Sequence, residues 1–295
     1  MSTPTESLPK DSFANVAPEP LEPAPLPLGP DNPPWHVPGA IGFWLLSVAL
    51  ILFMPVFFVV PYILRQEIGM EGLSGFLLTD KTAIFLQVVS TIPAHLLTLG
   101  AAWLLVTRVG KFPFLAMLGW TWDAKYNFWR STAIAVGLYL VGISLIYFLD
   151  GPETPLNKIL NSSRLTAVTV AFMATATAPL VEEIIYRGVL YSALQRAIGA
   201  RLAIWIVLIL FALVHVPQYL PNYGILFIIL LLSTVLTIVR ARTGKLLPCF
   251  IIHLVFNGVQ SVLIVLEPYF RQYLPEQMRG AESAIVLASL FGVQL

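Results

Sequence analysis

The sequence predicts an all-α fold, a polytopic transmembrane helix bundle of seven to eight membrane helices with a membrane-embedded polar cavity. Three observations carry the prediction. Of 295 residues, 57% are hydrophobic and only 11% charged, with a mean hydropathy of +0.81, far outside the range of water-soluble domains. The apolar residues fall in runs long enough to cross a bilayer. Inside those runs sit a few ionisable side chains, each costing about 2.5 to 3.5 kcal/mol near a helix centre, so they need protein or water beside them and not lipid.

Residues 1–39 are rich in proline and acidic residues, including Pro18-Glu19-Pro20-Leu21-Glu22-Pro23, and have no apolar periodicity. They are expected to form a disordered, proline-rich cytoplasmic tail, and not a signal peptide, because the first apolar stretch runs too long for one. Residues 40–295 are expected to form the transmembrane helical domain. Its apolar runs lie at about 40–64, 83–107, 132–149, 165–190, 202–216, 224–239 and 246–266, with a weaker one at 283–293. The loop at 108–130 holds Arg108, Lys111, Trp120, Trp122, Lys125, Trp129 and Arg130 and reads as an interfacial segment.

Lysine and arginine crowd the second, fourth and sixth loops: Arg108, Lys111, Lys125 and Arg130, then Arg196 and Arg201, then Arg240, Arg242 and Lys245. The positive-inside rule therefore places the amino terminus in the cytoplasm of a multi-pass membrane protein, expected in a bacterial inner membrane. A formal net charge of +1 gives no basic surface, so nucleic acid is not an expected partner; the lipid bilayer is. The single cysteine, Cys249, rules out an internal disulfide and any multi-cysteine metal site, and its expected role is packing.

The chemistry concentrates in Pro179-Leu180-Val181-Glu182-Glu183-Ile184-Ile185-Tyr186-Arg187-Gly188. On an α-helix Glu183 and Arg187 are four apart and can pair, while Glu182 projects about 100° away. One carboxylate is thus engaged and the other is free. The bland alternative, a helix leaving the bilayer, ordinarily shows a cluster of lysines or arginines and not a Glu-Glu pair. Two other runs carry polar residues at helical spacing: Phe211 to His215, and His253 with Asn257 four residues on. Each pair alone has a structural reading, as a hydrogen-bonded packing histidine or an interhelical asparagine. Together they suit amide hydrolysis, which needs a base to activate water and donors aimed at the developing oxyanion. Glu182 with His215 can supply the first, and His253 with Asn257 the second. No serine lies in these stretches, which disfavours a Ser-His-Asp site.

EEIIYR, FALVH and HLVFN, in that order on successive helices, resemble the EExxxR, FxxxH and HxxxN motifs of the CAAX protease and bacteriocin-processing (CPBP, Abi-like) family, the intramembrane proteases that include the Ras-converting CAAX endopeptidases. The resemblance covers about residues 165–260. It implies that Glu182 activates water with His215, that His253 and Asn257 stabilise the oxyanion, and that Glu183 and Arg187 support them. The family has been read both as zinc-dependent and as glutamate-dependent. The cofactor expectation is therefore either zinc, with Glu182, His215 and His253 as its ligand set, or none; HExxH is absent. The expected partner is a peptide or membrane-protein substrate. Two rival readings remain at this stage: a transporter or ion pathway, since intramembrane Glu, Arg and His also mark ion sites, and a catalytically silent immunity or scaffold protein on the same fold.

Overall fold

The computed structural model describes residues 27–66, 68–148, 152–271 and 273. The weak eighth run at 283–293 and the tail up to residue 26 lie outside the described residues. The elements are helical: α1 (Val37–Ile63), α2 (Met70–Thr79), α3 (Lys81–Val89), α4 (Thr91–Thr107), α5 (Phe114–Leu118), α6 (Phe128–Phe148), α7 (Pro155–Ser162), α8 (Arg164–Ala176), α9 (Ala178–Glu183), a π-helix (Ile184–Leu190), α10 (Tyr191–Ile198), α11 (Ala200–Tyr219), α12 (Tyr223–Thr243) and α13 (Leu247–Arg271). Among the described residues, seven helical spans are long and apolar enough to cross a membrane: Val37–Ile63, Lys81–Thr107, Phe128–Leu145, Arg164–Ile198, Ala200–Tyr219, Tyr223–Thr243 and Leu247–Phe270. Each coincides with one of the seven strong apolar runs.

α1 packs on α3 and α4, α11 lies beside α12, and α13 packs against α6 and α8. The span 164–198 occupies the middle. Its π-helix is buried throughout, and Val189, Leu190 and Tyr191 form a core with Trp35, Phe43, Val106, Leu118 and Phe211. A second core joins α6, α12 and α13 through Ala135, Leu236, Cys249 and Ile252. Cys249 is buried there, with its thiol on the Leu236 carbonyl at 3.3 Å, so packing is what it does.

The polar loop at 108–130 divides its aromatic residues. Trp120 turns inward and packs at a tilt against Phe250, ring centres 5.0 Å apart, whereas Trp129 is 76% exposed. Two glycines with positive φ close this end of the bundle. Gly119 (φ 69°) approaches so near that a Cβ there would lie 2.5 Å from the Gly244 carbonyl, and Gly244 (φ 67°) caps α12 with its N–H on the Arg240 carbonyl.

The amino-terminal segment departs from the expected boundary. The chain is already fixed by residues 27–36, and α1 begins at Val37. The reason lies in hydrogen bonding. Pro30, Pro33 and Pro34 have no N–H, so this strap presents carbonyls in excess of donors. Arginines supply the donors: Arg240 Nη2 to the Pro30 carbonyl at 2.8 Å, Arg196 to that of Pro33, and Arg108 to that of Pro34. Asp31 accepts from Arg240 Nη1 at 2.8 Å and from Gln195 Nε2 at 2.9 Å. Burial raises the Asp31 carboxyl pKa, but Arg240 and Gln195 outweigh it and hold the group below its ordinary value of 3.8. Three of the arginines from the even-numbered loops therefore meet at one end of the bundle, gripping the strap.

Candidate active site

The span that carries Glu182 is broken twice. Pro179 lacks an N–H and its ring crowds the carbonyl four residues back, and here α8 stops at Ala176 and a new helix starts at Ala178, with Thr177 between them. Five residues after Pro179 the winding widens, and Ile184–Leu190 is π-helical where the sequence predicts a plain α-helix. Such turns are short and frequent at functional sites. Gly188 lets the neighbouring helix come close, since a Cβ there would be 2.9 Å from Leu118 Cδ2.

The expected ion pair is present. Arg187 Nη1 bonds to Glu183 Oε1 at 3.0 Å, and both side chains are fully buried. The rest of the guanidinium is satisfied from α12, with Nε donating to Thr237 Oγ1 at 3.2 Å and Nη2 to Ser233 Oγ at 2.8 Å and to its carbonyl at 3.1 Å. Its flat face lies 4.6 Å from the Phe211 ring centre. From α13, His253 meets both carboxylates: Nδ1 is 2.8 Å from Glu183 Oε1, and Nε2 is 3.7 Å from Glu182 Oε2. Glu183 Oε2 has no hydrogen-bond partner among the described residues. Glu182 differs from its neighbour, with a side chain 23% exposed. The two adjacent carboxylates thus have separate environments, one locked between Arg187 and His253 and one accessible.

The remaining predicted residues surround this pair. His215 Nδ1 bonds to its own helix at the Phe211 carbonyl, 2.7 Å away. A carbonyl only accepts, so Nδ1 carries the hydrogen and Nε2 keeps its lone pair in the neutral ring. The His215 ring is 4.7 Å from that of Phe211, which in turn is 6.1 Å from the His253 ring. Asn257 Nδ2 donates to the Ala174 carbonyl of α8 at 3.0 Å, which uses one of its two hydrogens. Glu182, Glu183, Arg187 and His253 therefore form one bonded cluster, with His215 joined to it through Phe211 and Asn257 one helical turn along from His253.

Zinc does not fit this arrangement. Among the described residues no three His, Cys, Asp or Glu side chains are grouped to hold a metal ion, so Glu182, His215 and His253 do not converge as ligands. Among the described residues a polar cavity is not shown. A pocket of about 310 Å³ does open beside this span, but its lining is apolar: Leu99, Trp103, Phe114, Leu118, Trp120 and Ile184.

One residue near the site escaped sequence reasoning. His95 on α4 is buried, with Nδ1 2.9 Å from Thr177 Oγ1 at the break of the central span, and it lies within electrostatic reach of Glu182. It has no motif partner at helical spacing, so only the proximity of α4 to the break reveals it.

Comparison with known proteins reaches the same stretch. Residues 164–259 match the family model described as type II CAAX prenyl endopeptidase Rce1-like. No curated protein and no solved structure matches the chain. The match begins at the first residue of α8 and includes all three motifs. Residues 164–259 therefore carry an Rce1-like domain, of the family that EEIIYR, FALVH and HLVFN resemble.

Proposed function

We propose that the protein is an intramembrane endopeptidase of the CAAX-protease-like type, in which Glu182 activates the attacking water. The carrying observation is the division between the two carboxylates. Glu183 is buried and engaged through Oε1 by Arg187 and His253, while Glu182 is partly exposed, with a 3.7 Å contact to His253. In the proposed step Glu182 takes a proton from water, the hydroxide oxygen bonds to the scissile carbonyl carbon, and the proton passes on to the leaving amine as the C–N bond breaks. His215, with its Nε2 lone pair free, shares the proton. His253 is oriented by Glu183 through Nδ1 and presents Nε2; in its doubly protonated form it balances the two carboxylates together with Arg187 and offers an N–H to the oxyanion. The second Nδ2 hydrogen of Asn257 is the other donor.

The Rce1-like match supports a membrane-tethered peptide or membrane-protein substrate, and the apolar pocket beside Ile184 suits an apolar group on it. The arginine distribution supports a site open to the cytoplasm. No step is routed through zinc, because the donor geometry does not provide for it.

The test is cleavage of a panel of membrane-tethered and CAAX-ended peptides by purified protein, wild type beside Glu182→Gln, each with and without a zinc chelator. The expected result is cleavage by the wild type that survives the chelator and falls by two orders of magnitude or more (about 10²-fold) in the variant. Equal cleavage by both proteins would refute the role of Glu182.

A further inference from the structure

The π-helix that presents Arg187 is held from outside the Rce1-like stretch, by two indoles of the amino-terminal region. Trp35 Nε1, at the end of the strap, donates to the Val189 carbonyl at 3.1 Å, and Trp44 Nε1, on α1, donates to the Tyr186 hydroxyl at 3.1 Å. These acceptors flank Arg187 on either side. Tyr186 in turn packs edge-on against Phe211 at 5.0 Å, and Phe211 is the ring beneath the Arg187 guanidinium.

The winding at this turn is wider than in the helix after it. The Tyr191 N–H bonds to the Tyr186 carbonyl, five residues back, whereas the helix that follows winds with bonds four residues back. The Trp35 indole N–H reaches the Val189 carbonyl of this turn from outside the helix, and the environment is dry, so the bond is costly to lose: Trp35 is 3% exposed, and Val189 and Leu190 are fully buried.

Trp35 itself is held in place from the strap side. The carbonyls of Pro30, Pro33 and Pro34 are gripped by Arg240, Arg196 and Arg108, and Asp31 pairs with Arg240. Arg240 also reaches Ser192 Oγ at 3.0 Å, one residue beyond the π-to-α junction. Strap and π-helix are therefore fastened at two successive points.

We infer that Trp35 and Trp44 are positioning residues of the site: they fix the winding of the 184–190 turn, and through Arg187 they fix Glu183 and His253. The catalytic consequence rests on the endopeptidase reading, but the mechanical one does not. Loss of either indole N–H lets the turn relax toward ordinary α winding, which rotates Arg187 relative to Glu183.

The experiment measures hydrogen–deuterium exchange of the full chain in lipid nanodiscs, together with peptide cleavage, for wild type, Trp35→Phe and Trp44→Phe. Trp129→Phe, on an exposed ring, is the control. Phenylalanine keeps an aromatic ring and removes the donor together with part of the indole's bulk. The expected result is exchange faster by about fivefold or more confined to 184–191, with kcat lowered about tenfold or more and KM within about twofold. Exchange in 184–191 unchanged in a folded Trp35→Phe protein overturns the inference, as does a rise spread evenly over all helices. A local rise in a protein whose wild type cleaves nothing supports the clip and refutes the endopeptidase reading instead. If Trp35→Phe does not fold, Asp31→Asn takes its place. Its side chain is 64% exposed, and loosening Arg240 must then raise exchange in both the strap and 184–191; no rise overturns the inference.

Discussion

Replacing Glu183 by alanine removes the one acceptor shared by two buried donors, Arg187 Nη1 at 3.0 Å and His253 Nδ1 at 2.8 Å. Arg187 is fully buried and keeps Thr237, Ser233 and the Phe211 face, all of them neutral, so its charge is left without an anion. Breaking a buried pair in this way costs about 3 to 5 kcal/mol, and stranding the His253 donor adds about 1 to 3 kcal/mol. Because the two losses share one oxygen they do not simply add, and the expected destabilisation is about 4 kcal/mol or more. Glu182→Gln provides the comparison. That side chain is 23% exposed and makes only a 3.7 Å contact to His253, so its expected cost is about 1 kcal/mol or less. The assay is reversible unfolding in mixed micelles, read by tryptophan fluorescence. A double variant, Glu183→Ala with Arg187→Met, should recover about half of the loss, since removing both charges is cheaper than stranding one. A loss below about 1 kcal/mol for Glu183→Ala, or no recovery in the double variant, would refute the buried-pair reasoning.

Two further outcomes are expected. Asp31 is held below its ordinary pKa of 3.8, so the stability from its pair with Arg240 is fully present above the unfolded value and is lost only as pH falls through the lower folded value. Exchange at Gly29 to Asn32, corrected for intrinsic rates, should then be flat from about pH 8 to about pH 5 and rise only in stronger acid. His36, 2.8 Å from Arg196 at the other end of the strap, is replaced by asparagine for this measurement, and a rise near neutrality would contradict the assignment. For the orientation, cysteines placed by Arg242→Cys and Tyr219→Cys should be labelled by impermeant reagents from the cytoplasmic and the outer side respectively; Arg242→Cys labelled only from outside would reverse the topology.

The sequence by itself determined the class of the fold and the position of every described span, because hydropathy is a local, additive property and a run such as Tyr223–Thr243 is apolar whatever packs beside it. It also determined the Glu183–Arg187 pair, which needs only a helical spacing of four, whereas the break before Pro179 falls inside one continuous apolar run and was decided by the fold. What lies between helices was decided by tertiary structure. His253 is 70 residues from Glu183 in sequence, and no spacing rule says that its Nδ1 takes the same oxygen as Arg187. His95 belongs to no motif in its apolar run until α4 brings it to Thr177. The arginines at 108, 196 and 240 carry the charge bias that orients the chain, yet the structure also spends them on carbonyls of a proline-rich strap. Proline-rich composition reads as disorder because it lacks donors, and here the missing donors come from the ends of three separate spans, a supply that only the closed bundle can provide.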